Sequence, residues 1–190
     1  THSSDAHDKA ASWSPDGSKI AFLSDKSGEE ELYVVAQDGS APPEQLTRGG
    51  QVMRYAPTWA PDGKRIALVI SYGANLDIWV YDPRRDAITR LTFGGINGNP
   101  AWSPDGQYVV FLKPNQGIFQ ARADGASPPQ ALTGSKTTQV PWSFTPDGKR
   151  LAYYETAGNA QIWTVPLEDQ GGQLKAGTPE PFLKSTFSDQ

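Results

Sequence analysis

Cysteine is absent from all 190 residues, which removes disulfides, thiolate metal sites and cysteine nucleophiles at once. No apolar stretch approaches the roughly 20 residues that a membrane-spanning helix requires. No window carries the long 3.6-residue apolar period of an amphipathic helix either. Histidine is nearly as scarce, and both copies, His2 and His7, lie close to the first residue. A catalytic triad would need His7 held against a buried serine and a carboxylate, and a terminal tail is a poor place for that preorganisation. Asp5, His7 and Asp8 could together ligate a metal, but a short acidic and histidine-bearing tail is ordinarily solvated, so no metal and no cofactor is expected. Gly-x-Ser-x-Gly, Gly-x-x-x-x-Gly-Lys-Ser/Thr and His-Glu-x-x-His are all missing, which leaves no recognisable nucleophile elbow, phosphate loop or zinc helix.

A surplus of basic charge is lacking too. Seventeen lysines and arginines face 21 acids, a net charge of −4 with the two signs interspersed. Nucleic acid binding needs a clustered basic footprint to displace counterions, so that class of partner is excluded. The sequence has no signal-peptide pattern and does not begin with Met, which is the expectation for a mature or excised segment. The length suits a single domain spanning 1–190 with a buried core.

What the chain has in quantity is repetition. An aromatic residue is followed, one residue later, by Pro-Asp-Gly in four places: Trp13 to Gly17, Trp59 to Gly63, Trp102 to Gly106 and Phe144 to Gly148. The prolines stand at 15, 61, 104 and 146, separated by 46, 43 and 42 residues. A period of roughly 40–45 residues is that of a propeller blade. Aligned on this motif, four segments recur in each copy. A stretch ending in the aromatic comes first, and an apolar run follows the turn (Ile20 to Leu23, Ile66 to Ile70, Val109 to Leu112, Leu151 to Tyr154). A third run carries an aromatic at its second position: Tyr33, Trp79, Phe119 or Trp163. A short strand ending Leu-Thr closes the unit in the first three copies, with Pro181-Phe182-Leu183 a looser counterpart in the fourth. Short β-branched and aromatic runs bounded by Gly, Pro, Asn and Asp read as strands. The expected fold is all-β, a β-propeller of four four-stranded antiparallel blades at about 9–48, 54–93, 97–134 and 139–184, open to being part of a larger ring.

The motif has a mechanical reading. Proline presets φ, aspartate tolerates the next turn position, and glycine accepts a positive φ where the chain reverses. Asp16, Asp62, Asp105 and Asp147 are therefore turn formers, one per blade, and too far apart to act as a carboxylate pair. Each blade is apolar on both faces and must be covered by its neighbours. Trp13, Trp59 and Trp102, with Tyr33, Trp79, Phe119 and Trp163, are expected to pack blade against blade.

In a four-stranded meander the Pro-Asp-Gly turns share one face of the disc with the connections from third to fourth strand. The other face gathers the second-to-third loops and the inter-blade crossings 4–9, 48–55, 93–99 and 134–139, which lead into the innermost strands and so rim the central channel. The repeats diverge there, at Arg54 and Tyr55, Asn97 and Asn99, and Thr138 and Gln139. Loops on a rigid scaffold are where binding residues sit, so these six are the candidate rim. A seventh is Trp142, four positions before its turn proline, where the other copies have Ala11, Pro57 and Pro100. It either fills the gap left when Phe144 replaces the repeat tryptophan or presents an aromatic surface near the channel. Repacking is the expectation.

All four blades are in phase from innermost to outermost strand, and neither 1–8 nor 185–190 offers an obvious spare strand to clasp a ring. Three arrangements follow: a stretch of a longer propeller such as a six-bladed one, which is favoured; a closed four-bladed ring; or two chains associating to complete one. An open arc would expose more apolar surface than a soluble monomer ordinarily carries.

The residues Trp13-Ser14-Pro15-Asp16-Gly17 with Ile20-Ala21-Phe22, then Leu32-Tyr33-Val34, Asp38-Gly39 and Gln45-Leu46-Thr47 resemble the WD40-like PD40 repeats of the TolB-type propeller family. The resemblance runs through nearly the whole chain. It implies a non-enzymatic bacterial scaffold in the periplasm or another extracytoplasmic compartment, binding a protein or peptide partner. Similar repeats form the gating propellers of tricorn-type and prolyl-oligopeptidase-type peptidases and the sensor propellers of bacterial Ser/Thr kinases, which are the alternatives. In the peptidases the chemistry sits on a separate domain, so the resemblance implies no catalytic residue here.

Overall fold

The computed structural model describes residues 6–156 and 161–182. All regular elements among them are strands. The first blade comprises β1 (Asp8–Trp13), β2 (Lys19–Ser24), β3 (Glu31–Ala36) and β4 (Glu44–Gln45). The second comprises β5 (Val52–Trp59), β6 (Ile66–Tyr72), β7 (Asn75–Asp82) and β8 (Ala87–Arg90). In the third are β9 (Gly98–Trp102), β10 (Tyr108–Lys113), β11 (Gly117–Arg122) and β12 (Gln130–Ala131). The fourth has β13 (Gln139–Phe144), β14 (Arg150–Glu155) and β15 (Gln161–Asp169), followed by β16 (Leu174–Ala176) and β17 (Glu180–Pro181). Every blade is an antiparallel meander in chain order, as a propeller requires. Blade 4 keeps β17 in the outermost place and adds β16, which pairs with the far end of β15.

The Pro-Asp-Gly turns behave as their chemistry dictates. Gly17, Gly63, Gly106 and Gly148 adopt φ of 70°, 65°, 68° and 73°, the left-handed region that glycine enters freely. Asp16 Oδ1 accepts hydrogen bonds from Ser14 Oγ at 2.6 Å and Ser18 N at 3.0 Å, and the same bonds recur at Asp105 and Asp147. Because the charged form accepts these bonds, the Ser14 hydroxyl first and Ser18 next, the Asp16 carboxyl is drawn down to about 2. The turns also stack. A Cβ at Gly63 would sit 3.8 Å from Pro15, and one at Gly148 would sit 3.7 Å from Pro104.

Burial follows strand alternation. Ala21, Leu23, Leu32 and Val34 of blade 1 meet Ile66, Leu68 and Ile70 of blade 2, with Trp59 and Trp79 against them. Ala67, Val69, Ile78 and Val80 on the opposite face of blade 2 meet Val109, Phe111, Trp102 and Phe119 of blade 3. Val110, Ile118 and Leu132 then meet Leu151, Tyr153, Val165, Phe144 and Trp163. Each fully buried Val, Leu, Ile or Phe among them contributes roughly 1.5–3 kcal/mol when withdrawn from water. The repeat tryptophan adds a polar latch: Trp59 Nε1 donates to Ser12 O at 3.3 Å and Trp102 Nε1 to Thr58 O at 2.9 Å, each reaching the innermost strand of the preceding blade.

Two aromatic residues depart from the expectation. Trp13 is 58% exposed and Trp142 is 68% exposed. Trp13 occupies the face of blade 1 turned away from blade 2, and no described blade packs there. Trp142 lies at a register break between Pro141 and Ser143 in β13. It leans on Tyr154, with ring centroids 6.1 Å apart, rather than filling the core. Phe144 alone takes the repeat tryptophan's place in the blade 3–blade 4 core. Ile162 and Phe182 are exposed as well, and Phe182 N bonds to Ile162 O, which places them side by side on blade 4. Among the described residues the blades pack 1 on 2, 2 on 3 and 3 on 4, and no strand of blade 1 packs closely on one of blade 4.

Candidate functional site

The innermost strands β1, β5, β9 and β13 each break register against their neighbour, between Lys9 and Ser12, between Arg54 and Thr58, opposite Val110–Leu112, and between Pro141 and Ser143. In the first three the break is a bulge with a non-glycine residue at positive φ: Ala10 at 57°, Tyr55 at 64° and Asn99 at 50°. Such a conformation costs on the order of 1 kcal/mol or more, and a bulge re-aims the side chain it carries. In blade 4 the residue aligned with Ala10 and Asn99, five before the turn proline, is Pro141, whose ring forbids positive φ, and Trp142 follows it. Tyr55 stands six before its turn proline. Each of the four innermost strands thus carries a bulge or break in its pairing. Two of these breaks carry polar or aromatic side chains, Tyr55 and Asn99, and Trp142 adjoins a third.

Tyr55 is 50% exposed, and its ring lies over Gly98, where an added Cβ would meet Cε2 at 3.5 Å and the hydroxyl oxygen at 3.6 Å. That brings the bulge of β5 against the start of β9, with Asn99 next in the chain. Arg54 is exposed and forms no ion pair among the described residues. Thr138 is half-buried, its hydroxyl 3.4 Å from both the amide N and the Oδ1 of Asn115.

Asn97 and Gln139 are placed differently, inside the blades. Asn97 is 0% exposed; its Nδ2 donates to Leu76 O at 2.9 Å, Gly94 O at 3.1 Å and Asp77 Oδ1 at 3.2 Å. Gln139 is 4% exposed and spans from Thr133 Oγ1 at 2.5 Å to Glu155 Oε1 at 2.7 Å. A repeated device explains both. The threonine of each Leu-Thr accepts the amide N–H at the start of the third strand, with Thr47 to Leu32 N, Thr92 to Ile78 N and Thr133 to Ile118 N all at 2.9 Å. The same hydroxyl donates to Glu31 in blade 1 and to Asp77 in blade 2. In blade 3 the acid's position is Gly117, where a Cβ would stand 2.8 Å from Thr133 O. Gln139 reaches in from the next blade and supplies the missing acceptor.

Sequence reasoning passed over the acid of that device in blade 2. Asp77 is fully buried, and its carboxylate takes Arg90 Nη2 at 2.6 Å, Thr92 Oγ1 at 2.9 Å and Gly94 N at 3.0 Å. Arg90 in turn lies 5.6 Å from the ring of Tyr72, 5.5 Å from Trp79 and 4.8 Å from Phe93. The signal was present in the acid directly preceding the third-strand pair, Glu31 before Leu32-Tyr33 and Asp77 before Ile78-Trp79. His7 at the other end is exposed and held by Asp25, through its amide at 2.7 Å and Nδ1 at 3.1 Å, while Asp5 lies outside the described residues. No cluster of metal-ligating side chains occurs among the described residues.

The molecule can be placed among known proteins on these features. A "Protein TolB homolog" of Chlorobium luteolum is 32% identical over 154 residues, covering 80% of this chain and 35% of the relative. The "Tol-Pal system protein TolB" of Wolinella succinogenes is 29% identical over 111 residues, 57% of this chain and 26% of its own. The chain therefore spans about a third or less of the length of these relatives. A putative TolB from Agrobacterium tumefaciens superposes with a TM-score of 0.71 at 22% identity, over 94% of this chain and 67% of that one. A puromycin-hydrolysing peptidase of Mycobacterium tuberculosis gives 0.68 at 14% identity, over 93% and 31%, so the same blade architecture also serves peptidases. The model of the TolB beta propeller domain matches residues 44–176, and with the repeated turns, latches and bulges in register across that span, the chain belongs to the TolB beta propeller domain family.

Proposed function

We propose that the chain is a non-enzymatic scaffold that binds a protein or peptide partner on the loop face of the propeller, in an extracytoplasmic compartment of a bacterium. The observation that carries this reading is the pair of bulged rim residues, Tyr55 and Asn99, held at positive φ beside Arg54, which is exposed and forms no ion pair among the described residues. Strain of this kind persists where surrounding structure fixes it, and both residues sit at register breaks of innermost strands. The family supports a binding role, and the naming of a relative as a Tol-Pal system protein points to a component of such a system as the partner. A hydrolytic role finds no support in the side chains. Both histidines stand at the start of the sequence, and the Asp16 and Asp147 carboxyls are occupied by hydrogen bonds within their own turns.

The test is affinity capture of candidate Tol-Pal components from an envelope extract, comparing the protein with Arg54→Glu and Tyr55→Ala variants. The expected result is one captured partner, lost in both variants while the melting temperature is unchanged. Capture that survives both substitutions removes the rim from consideration, and turnover of a peptide substrate by the purified chain removes the scaffold reading itself.

A further inference from the structure

Blade 2 departs from the repeat at one place on its outer loop edge. Arg90 lies where blade 1 has Gln45 and blade 3 has Ala131, each opposite the third-strand aromatic. Phe93 follows the Leu-Thr where the other blades have Arg48 and Gly134. Tyr72 ends β6 with its ring 6.0 Å from Trp79. The result is a guanidinium flanked by three aromatic rings, of which Phe93 is 75% exposed and Tyr72 is 42% exposed. Large apolar groups held at a surface in this way mark interaction sites.

The cluster is also rigid. Asp77 anchors Arg90 from beneath and ties down Gly94. Gly95 N donates to Asn75 Oδ1 at 2.8 Å, Leu76 N donates to Gly95 O at 2.8 Å, and Leu76 and Ile96 form a parallel bridge. Phe93 thus projects from a crossing fixed on several sides, so little ordering is left for a ligand to impose.

We propose that Tyr72, Trp79, Arg90 and Phe93 form a docking site for an extended, proline-bearing segment of a partner protein. The charge balance selects this chemistry. Arg90 already has its countercharge in Asp77, at 2.6 Å, so a carboxylate on the ligand gains little. Nε and Nη2 are engaged, by Thr92 O and Asp77, while Nη1 makes no hydrogen bond among the described residues. What that leaves to satisfy is a neutral acceptor beside flat apolar faces. A polyproline II segment offers both, because its backbone carbonyls are unbonded and its pyrrolidine rings lie flat against aromatic side chains with little entropy to lose.

Fluorescence anisotropy on the intact protein tests this with labelled peptides of one length that differ only at alternate positions: prolines, alanines, or aspartates. The proline peptide is expected to bind about tenfold or more tightly than the alanine peptide, which is about 1.4 kcal/mol. Phe93→Ser is expected to abolish that difference and Phe93→Tyr to retain it. Tyr55→Ala at the channel rim leaves it unchanged, which separates this site from the rim. Equal binding of proline and alanine peptides, tighter binding of the aspartate peptide, no binding of any, or loss on Tyr55→Ala instead of Phe93→Ser would each overturn the assignment. So would light scattering in which Phe93→Ser dissolves a dimer, since the occupant would then be a second copy.

Discussion

Trp13 and Trp102 occupy the same position of the same repeat, yet one is largely exposed and the other buried. Trp102 sits between two blades. Its Nε1 is latched to Thr58 O, and the Arg65 guanidinium covers its ring with Cζ 4.9 Å from the centroid while Nη2 bonds Gly106 O. Trp13 has the same local turn beneath it and no described blade against it. The contrast teaches that in this fold the repeat residue does not carry its stabilisation by itself. The neighbouring blade supplies it, as the nearest-neighbour energetics of repeat proteins require.

The largest effects follow on the covered side. Trp102→Ala is expected to destabilise by about 3–5 kcal/mol, the range for a buried large aromatic, measured as a drop in the urea midpoint. A loss under about 1 kcal/mol would break the comparison by showing that the blade 2–blade 3 seam collapses around the gap. Asp77→Ala comes next, at about 3–4 kcal/mol, because it strands Arg90 against the aromatic rings and frees Thr92, Gly94 and Asn97 of their acceptor. It also loosens the crossing that carries Phe93. Glu31→Ala in blade 1 is the paired measurement, since Glu31 serves Thr47 and Gly50 with no arginine attached. The Asp77 variant should cost more.

How much of this was legible beforehand follows from the same distinction between local and neighbour-borne effects. The turns and the strand order are dictated within each repeat, so Pro-Asp-Gly and the apolar runs sufficed to read them. Exposure of Trp13 and Trp142 depends on what lies against a face, which no local pattern encodes. Asn97 and Gln139 diverge among the repeats as rim residues would, but they diverge because they complete hydrogen bonds inside the blades. Gln139 answers to a glycine at position 117, far away in sequence. The bulges that re-aim Tyr55 and Asn99 come from a register mismatch between neighbouring strands, and Tyr55, as a bulky side chain, gives no sign of a positive φ.

Gln120 is a further neighbour-borne case, and of intermediate size. It replaces the apolar residue of the third strand and is buried. Its amide donates to Leu174 O at 2.7 Å and accepts from Leu174 N at 3.0 Å, standing in for a backbone partner and fastening β16 of blade 4 onto blade 3. Gln120→Ala should cost about 1–3 kcal/mol through the two backbone groups left unsatisfied. Hydrogen exchange should show the loss at Leu174 ahead of β9–β11. Uniform loss across blade 3 would make Gln120 part of the seam itself.

Smaller still is the acid response of the turns. Asp16 is held at about 2 against an ordinary 3.8, by the Ser14 hydroxyl above all, and Asp147 is lowered chiefly by the Thr145 hydroxyl. A carboxyl whose folded pKa is depressed stabilises the fold above its unfolded pKa and loses that contribution as pH falls through the folded one. The window for Asp16 therefore lies between 3.8 and about 2. Ser14→Ala should flatten the fall in melting temperature across that window and leave the profile near neutrality unchanged in shape. An unaltered acid slope would mean that the exposed turn carboxylates are screened too well by solvent to matter.

Trp13→Ala is expected to change stability least, within about 0.5 kcal/mol, as for surface positions without a partner. The prediction is sharp because the same substitution at Trp102 is expected to be severe. Periodicity identifies what would equalise them. Trp59 and Trp102 donate to Ser12 O and Thr58 O, each the residue directly before the preceding blade's own aromatic. A blade added ahead of β1, with a carbonyl at that position, should bury Trp13 and raise the cost of its loss toward the Trp102 value. Measuring Trp13→Ala with and without such a blade isolates the energy of one blade contact from that of the repeat carrying it. A large cost in the 190-residue chain alone would show that something already covers the first face, and the two ends of the stack would then not be equivalent.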